Sequence, residues 1–97
     1  MQKKQTWYVG IGGSDSDCVV MYKVIGTKAE IKRYLVGLVK KDKNESPDDW
    51  DWGTEKVSDL EIMASGEINA SACFDNWHND YSACPEEYLN KRRCVVL

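Results

Sequence analysis

At 97 residues, 42% hydrophobic and 30% charged, the chain has the composition of one globular domain spanning 1–97, which excludes a disordered or repetitive protein. Its net charge of -3 hides an asymmetry: residues 1–41 carry +5, residues 42–80 carry -9 and residues 81–97 carry +1. A mid-chain acidic block repels phosphate, so direct nucleic-acid binding is not expected and a charged partner is expected to be basic.

Met1-Gln2-Lys3-Lys4-Gln5-Thr6 leads into a strand pattern without the apolar stretch of an export signal, so a cytoplasmic, reducing setting is expected. No run approaches the roughly 18 apolar residues of a membrane span. In that setting Cys18, Cys73, Cys84 and Cys94 are expected as free thiols that pack as small hydrophobes. Residues 6–11 place Trp7, Val9 and Ile11 on one face and Tyr8 and Gly10 on the other, a period of two that predicts a strand. Gly12-Gly13-Ser14-Asp15-Ser16-Asp17 is turn chemistry, and the β-branched residues of 18–25 predict a second strand, making a hairpin.

Thr27-Lys28-Ala29-Glu30 matches a capping box and starts a helix, whose Ile31, Tyr34, Leu35, Leu38 and Val39 form one apolar stripe. Residues 41–53 read as a long loop holding Trp50 and Trp52, which are too large and apolar to be idle there. Ser58 and Glu61 repeat the box, and with Gly66 as its C-cap a short helix is expected near 59–65. Alternation of Ile68, Ala70, Ala72 and Phe74 with polar residues predicts a strand over 67–75. A turn over 76–79, a strand over 81–84 stopped by Pro85, and a closing edge strand or loose tail at 94–97 complete the chain. The expected fold is α+β: an antiparallel sheet of four to five strands in ββααββ order, both helices on one face. The other face is then open to a partner or to a second copy, as in a homodimer.

Few residue patterns point to chemistry. Gly10, Gly12 and Gly13 are followed by a strand where a phosphate loop needs a helix, and Asp15 with Asp17 lacks the further oxygens of a cation site. Cys73, His78, Cys84 and Cys94 are spaced five, six and ten apart, unlike a zinc knuckle, so no metal and no cofactor are expected. Asp75, His78 and Asp80 are candidates for acid-base work, although Asn and Asp are ordinary turn formers and no nucleophile signature surrounds His78. The chain is therefore not expected to be an enzyme. Lys91-Arg92-Arg93-Cys94-Val95-Val96-Leu97 fits a prenylation signal, and a closing strand accounts for the same residues.

Tyr8-Val9-Gly10-Ile11-Gly12-Gly13, Tyr22-Lys23-Val24-Ile25-Gly26-Thr27 and Asp80-Tyr81-Ser82-Ala83 resemble, in style across most of the chain, small orphan proteins of bacterial phages and mobile elements. That resemblance implies a small intracellular protein that acts by binding, with anti-CRISPR-like and other anti-defence inhibitors the prominent class. Two binding modes fit the residues. In the first, Asp48, Asp49, Trp50, Asp51, Trp52, Glu55, Asp59 and Glu61 form a surface that occludes a basic groove of a host protein, aromatics giving affinity and carboxylates speeding encounter. Solvated acids around a core tryptophan fit the same segment. In the second, Phe74 or Trp77 stacks a nucleotide-like signal, with Asn76, His78 and Asn79 beside it and Arg92 and Arg93 of a neighbouring copy on its phosphates.

Overall fold

A computed structural model describes residues 3–13 and 20–97, with Arg92 described through its backbone only, so Asp15, Asp17 and Cys18 lie outside the described residues. Strand β1 (Gln5–Gly13) turns back into β2 (Val20–Gly26), and the hairpin feeds helix α1 (Lys28–Glu45). A 3-10 turn at Pro47–Asp49 leads to β3 (Trp50–Gly53), and a second at Val57–Asp59 leads to β4 (Glu61–Ile62). Strands β5 (Ile68–Phe74) and β6 (Trp77–Pro85) follow as a hairpin, and α2 (Glu86–Arg92) closes the order.

Every pairing is antiparallel, in the order β2-β1-β6-β5-β3, with β4 also on β5. The strands at the two ends of the sequence thus meet in the middle of the sheet: Trp7 lies opposite Pro85 and Gly13 opposite Asn79. Period-two alternation sends Trp7, Val9, Ile68, Ala70, Ala72, Phe74, Tyr81 and Ala83 to one face, where they are buried with Ile31, Leu35, Val36 and Val39 of α1. Alanines at 70, 72 and 83 keep the sheet floor shallow, so the large helix residues fill the space above it. The molecule is 20 Å along its shortest axis; α1 covers one face of the sheet, and on the other α2 lies only against the ends of β1 and β6, where the Tyr8 hydroxyl donates to Glu86 Oε2 (2.8 Å). No described helix is long and apolar enough to cross a membrane.

The predicted cap of α1 is present. The Glu30 amide donates to Thr27 Oγ1 (3.2 Å) and the Thr27 amide to Glu30 Oε1 (2.9 Å). The apolar stripe also holds, with Val36 buried beside the predicted residues and Tyr34 and Leu38 half-buried at its margins.

Elsewhere the fold departs from expectation. The sheet has six strands, and the order is ββαββββα. Residues 50–53, expected as loop, form β3, where a register shift between Trp50 and Trp52 marks a bulge. The helix expected near 59–65 is absent. Instead, Asp59 Oδ2 accepts the amides of Glu55 and Lys56 (3.2 Å each), Glu61–Ile62 pairs with β5, and Gly66, at φ 94°, makes the β4–β5 turn. That turn uses the left-handed conformation read as a helix C-cap; the residue was right and the element wrong. The turn over 76–79 shrinks to Asp75 and Asn76, because β6 begins at Trp77 paired with Phe74. Residues 94–97 form no strand and are exposed, whereas Glu86–Arg92, given no element from sequence, is a helix.

Two tests follow from these contacts. A Cβ at Gly53 would strike the Trp50 ring and sit 3.0 Å from Ala72 Cβ and Ser71 O, so Gly53→Ala overpacks the β3–β5 seam. It is expected to cost about 1–3 kcal/mol in chemical denaturation. The Glu30 carboxyl is held below its ordinary 4.5, first by the Thr27 backbone amide and then by the Thr27 hydroxyl. Its stabilising contribution is complete above 4.5 and is lost as pH falls through the lower folded value. Acid titration of helix content is therefore expected to show a transition in that window that Glu30→Ala abolishes.

Candidate functional site

The face opposite α1, which α2 meets only at its Tyr8 end, is built by the residues that alternate with the core. Cross-strand rows run Trp52–Cys73–His78, Ser71–Asp80–Gly12, Glu61–Asn69–Ser82–Gly10–Met21 and Cys84–Tyr8–Lys23. Small and polar groups make its centre nearly flat. Ser82 donates to Asn69 Oδ1 (2.7 Å), and the Ser71 amide donates to Thr54 Oγ1 (3.2 Å), whose residue is buried at the seam.

A depression of about 380 Å³ opens over this centre. Asn69, Ser71 and Ser82 lie on its floor, and Asp59, Glu61, Glu67 and Asp80 border it. Asp59 and Glu61, at the end of the 3-10 turn and in β4, are neighbours in the chain, and the sheet brings Glu67 of the β4–β5 turn and Asp80 of β6 to them. Several like charges around a concave, hydroxyl-lined surface create a negative potential that favours cationic side chains. Trp52, 58% exposed, stands one row away beside Cys73.

The residues read from sequence as one acidic surface are divided by the fold. Asp59, Glu61, Asp51 and Trp52 belong to the uncovered side, where Cys73 Sγ lies 3.9 Å from Asp51 Oδ2. Trp50 does not. Its ring packs edge-on against Phe74 at 5.6 Å under the Lys43 ammonium at 4.7 Å, on the α1 side. Glu55 turns the same way and pairs with Lys43 (3.6 Å). Asp48 and Asp49 are exposed on the turn after α1, where the Asp49 carbonyl accepts the Asp75 amide (2.7 Å). Glu67 was not singled out from sequence, and Asp80 was named for acid-base work rather than for this surface; reading β6 from Trp77 would have put His78, Asp80, Ser82 and Cys84 on one face.

The residues grouped for nucleotide binding are likewise separated. Phe74 is 1% exposed and stacked on the half-buried Trp77 at 4.0 Å and 8° between planes, so the slot for a base is filled by the chain's own ring. Asn79 faces the α1 side and donates to Asp42 Oδ2 (3.0 Å) and the Tyr81 hydroxyl (3.3 Å). The Tyr81 hydroxyl donates to the same carboxylate; burial first, then that bond, pushes its pKa up and keeps it a donor. Asn76 is exposed in the turn, His78 is on the uncovered face, and Arg93 lies against Tyr88 (5.6 Å). His78 Nε2 is 3.5 Å from Asp80 Oδ2, while Asp75 belongs to the turn.

Among the described residues no group of His, Cys, Asp and Glu has metal-site geometry. The cysteines, expected as buried packing, are half-buried at Cys73 and Cys84 and exposed at Cys94. Compared with known protein families, curated proteins and solved structures, the chain matches none.

Burial pushes the Cys84 thiol up, with Glu67 adding to the shift, while Cys94 is exposed. Because the thiolate is the nucleophile, alkylation by iodoacetamide at about pH 8 is expected to modify Cys94 roughly fivefold faster than Cys84. Peptide-resolved mass spectrometry reads both rates.

Proposed function

We propose that the chain is a small non-catalytic binding protein whose uncovered sheet face docks on a basic surface of another protein. One observation carries this reading: Asp59, Glu61, Glu67 and Asp80 converge on a single depression on the face that α1 leaves bare. A lysine or arginine entering it meets carboxylates at the rim and the Asn69, Ser71 and Ser82 side chains beneath. Trp52 supplies the apolar anchor that a charged patch lacks, since exposed tryptophans beside desolvated polar groups carry much of the energy of protein interfaces. The charge speeds encounter and selects a cationic partner.

The resemblance to phage and mobile-element orphan proteins gives the partner its place in the cell. The docked surface is then a basic, nucleic-acid-binding groove of a bacterial defence protein, occluded in the manner of an anti-CRISPR-like inhibitor. The acidic residues act here through the sheet face, so Asp48, Asp49 and Glu55 contribute little, and Trp50 serves the fold.

The test is affinity capture from bacterial lysate, comparing the native chain with a triple variant carrying Asp59→Lys, Glu61→Lys and Asp80→Lys. A retained basic protein is expected to release at high salt and to bind the variant roughly tenfold or more weakly. Asp48→Lys with Asp49→Lys is expected to bind as the native chain does. Retention unchanged in the triple variant, with helix content intact, sinks the proposal.

A further inference from the structure

The fold leaves a second surface open at the outer edge of β2. The sheet ends there, and among the described residues no strand pairs with the outer side of Val20–Gly26. Val20, Met21, Tyr22 and Ile25 are all exposed, Met21 at 68% and Ile25 at 65%. Natural sheets guard such edges with short strands, bulges and charge. The opposite edge has all three: β3 is four residues long, shifted in register and carries Asp51, and β4 is two residues long. Strand β2 is seven residues long, pairs with β1 without a shift, and has Lys23 as its one charged residue.

We propose that β2 accepts an extended acidic segment of another protein as an added strand. Backbone hydrogen bonds along the free edge hold such a segment, and its alternate side chains find their own contacts. On the α1 side, Val20, Tyr22 and Leu38 line a depression of about 260 Å³ that takes an apolar side chain. Charge selects the rest of the segment. Lys23 on β2 itself and Lys41, which lines the same depression, are the cations at this edge among the described residues. The depression's one carboxylate, Asp42, is engaged by Tyr81 and Asn79. A second copy is the poorer occupant, because two-fold antiparallel pairing of β2 about its centre brings Lys23 of both chains to one seam, where like charges repel. This surface is distinct from the acidic depression, which lies across β6, β5 and β4.

The probe is a capped peptide of about seven residues, the length of β2, alternating valine with glutamate. Titrated into the full isotope-labelled chain, it is expected to slow amide exchange at alternate positions of Val20–Gly26 by about tenfold or more. Lys23→Glu is expected to weaken binding about twofold to fivefold, as for one screened ion pair. The same peptide N-methylated at alternate amides, which cannot form the ladder, is expected not to bind. Three results overturn the proposal: protection absent from β2 at saturation, N-methylation without effect, or equal affinity for a peptide with lysine in place of glutamate. Sedimentation showing a dimer whose formation by itself protects the Val20–Gly26 amides from exchange assigns the edge to a second copy and overturns it as well.

Discussion

The pairing of β1 with β6 joins residues more than 65 apart in sequence, Gly13 with Asn79 at one end and Trp7 with Pro85 at the other, and the rest of the molecule depends on it. Each flanking hairpin offers only part of a core. The β1–β2 hairpin contributes Trp7 and Val9, and the β5–β6 hairpin contributes Ile68, Phe74, Tyr81 and a floor of alanines. Only when the two are zipped together does a surface wide enough for α1 exist, and a two-stranded hairpin alone is marginal in water. Closing so long a loop costs entropy before the core repays it, which makes this seam the slow step expected of a sheet built from non-local contacts. The Tyr81 hydroxyl and Asn79 amide, both on β6, then meet Asp42 and fasten the far end of α1 to the central strand. The core is not perfectly satisfied: among the described residues, Trp7 Nε1 is buried without an acceptor, a local cost of about 1–3 kcal/mol that the surrounding packing outweighs.

The legible parts of the sequence were those whose signal is local. The capping box of Thr27 and Glu30, the stripe from Ile31 to Val39 and the alternation in β5 each depend on residues a few positions apart, and each appears where expected. Residues 50–62 failed for the same reason. Trp50-Asp51-Trp52-Gly53 is too short, and too interrupted by its bulge, to show a period, and it is a strand because β5 offers an edge. Ser58 and Glu61 fit the cap template, but a tighter turn closes just before it, where Asp59 accepts the Glu55 and Lys56 amides, and Glu61 is taken up in β4 opposite Asn69. At the other end, Pro85 was read as the stop of a strand when it also precedes a helix with Glu86 and Glu87 in its first turn and Lys91 near its end, the arrangement a helix dipole favours.

The candidate site was less legible than the fold because a sheet gathers its surface from alternate residues of separate strands. Asp48 to Glu61 looks like one acidic patch when read along the chain, yet the chain turns Trp50 and Glu55 toward Lys43 and leaves Asp59 and Glu61 on the other side. Glu67 and Asp80, eight and twenty-one residues after Asp59, complete the cluster. What composition did carry was the sign of the charge and the presence of an exposed tryptophan. It could not say which tryptophan, since Trp50 and Trp52 are separated by one residue and differ only in the bulge that points them to opposite faces.

Strand order turns a charge gradient along the sequence into one across the molecule. The basic N-terminal portion supplies β1, β2 and α1, and the acidic middle supplies β3, β4 and β5, so the sheet runs from a cationic edge at β2 to an anionic one at β3 and β4. Strand β6 lies between them and contributes Asp80 to the acidic side. Glycines at 10 and 12 on β1 add no side chain next to Ser82 and Asp80, which leaves that carboxylate open to the face. Such a separation of charge gives the molecule a dipole whose negative end is the Asp59, Glu61, Glu67 and Asp80 cluster. Because the polarity arises from the order of the strands and not from any single residue, one substitution changes its size and leaves its direction. Reversing it requires changing the sign of a whole edge.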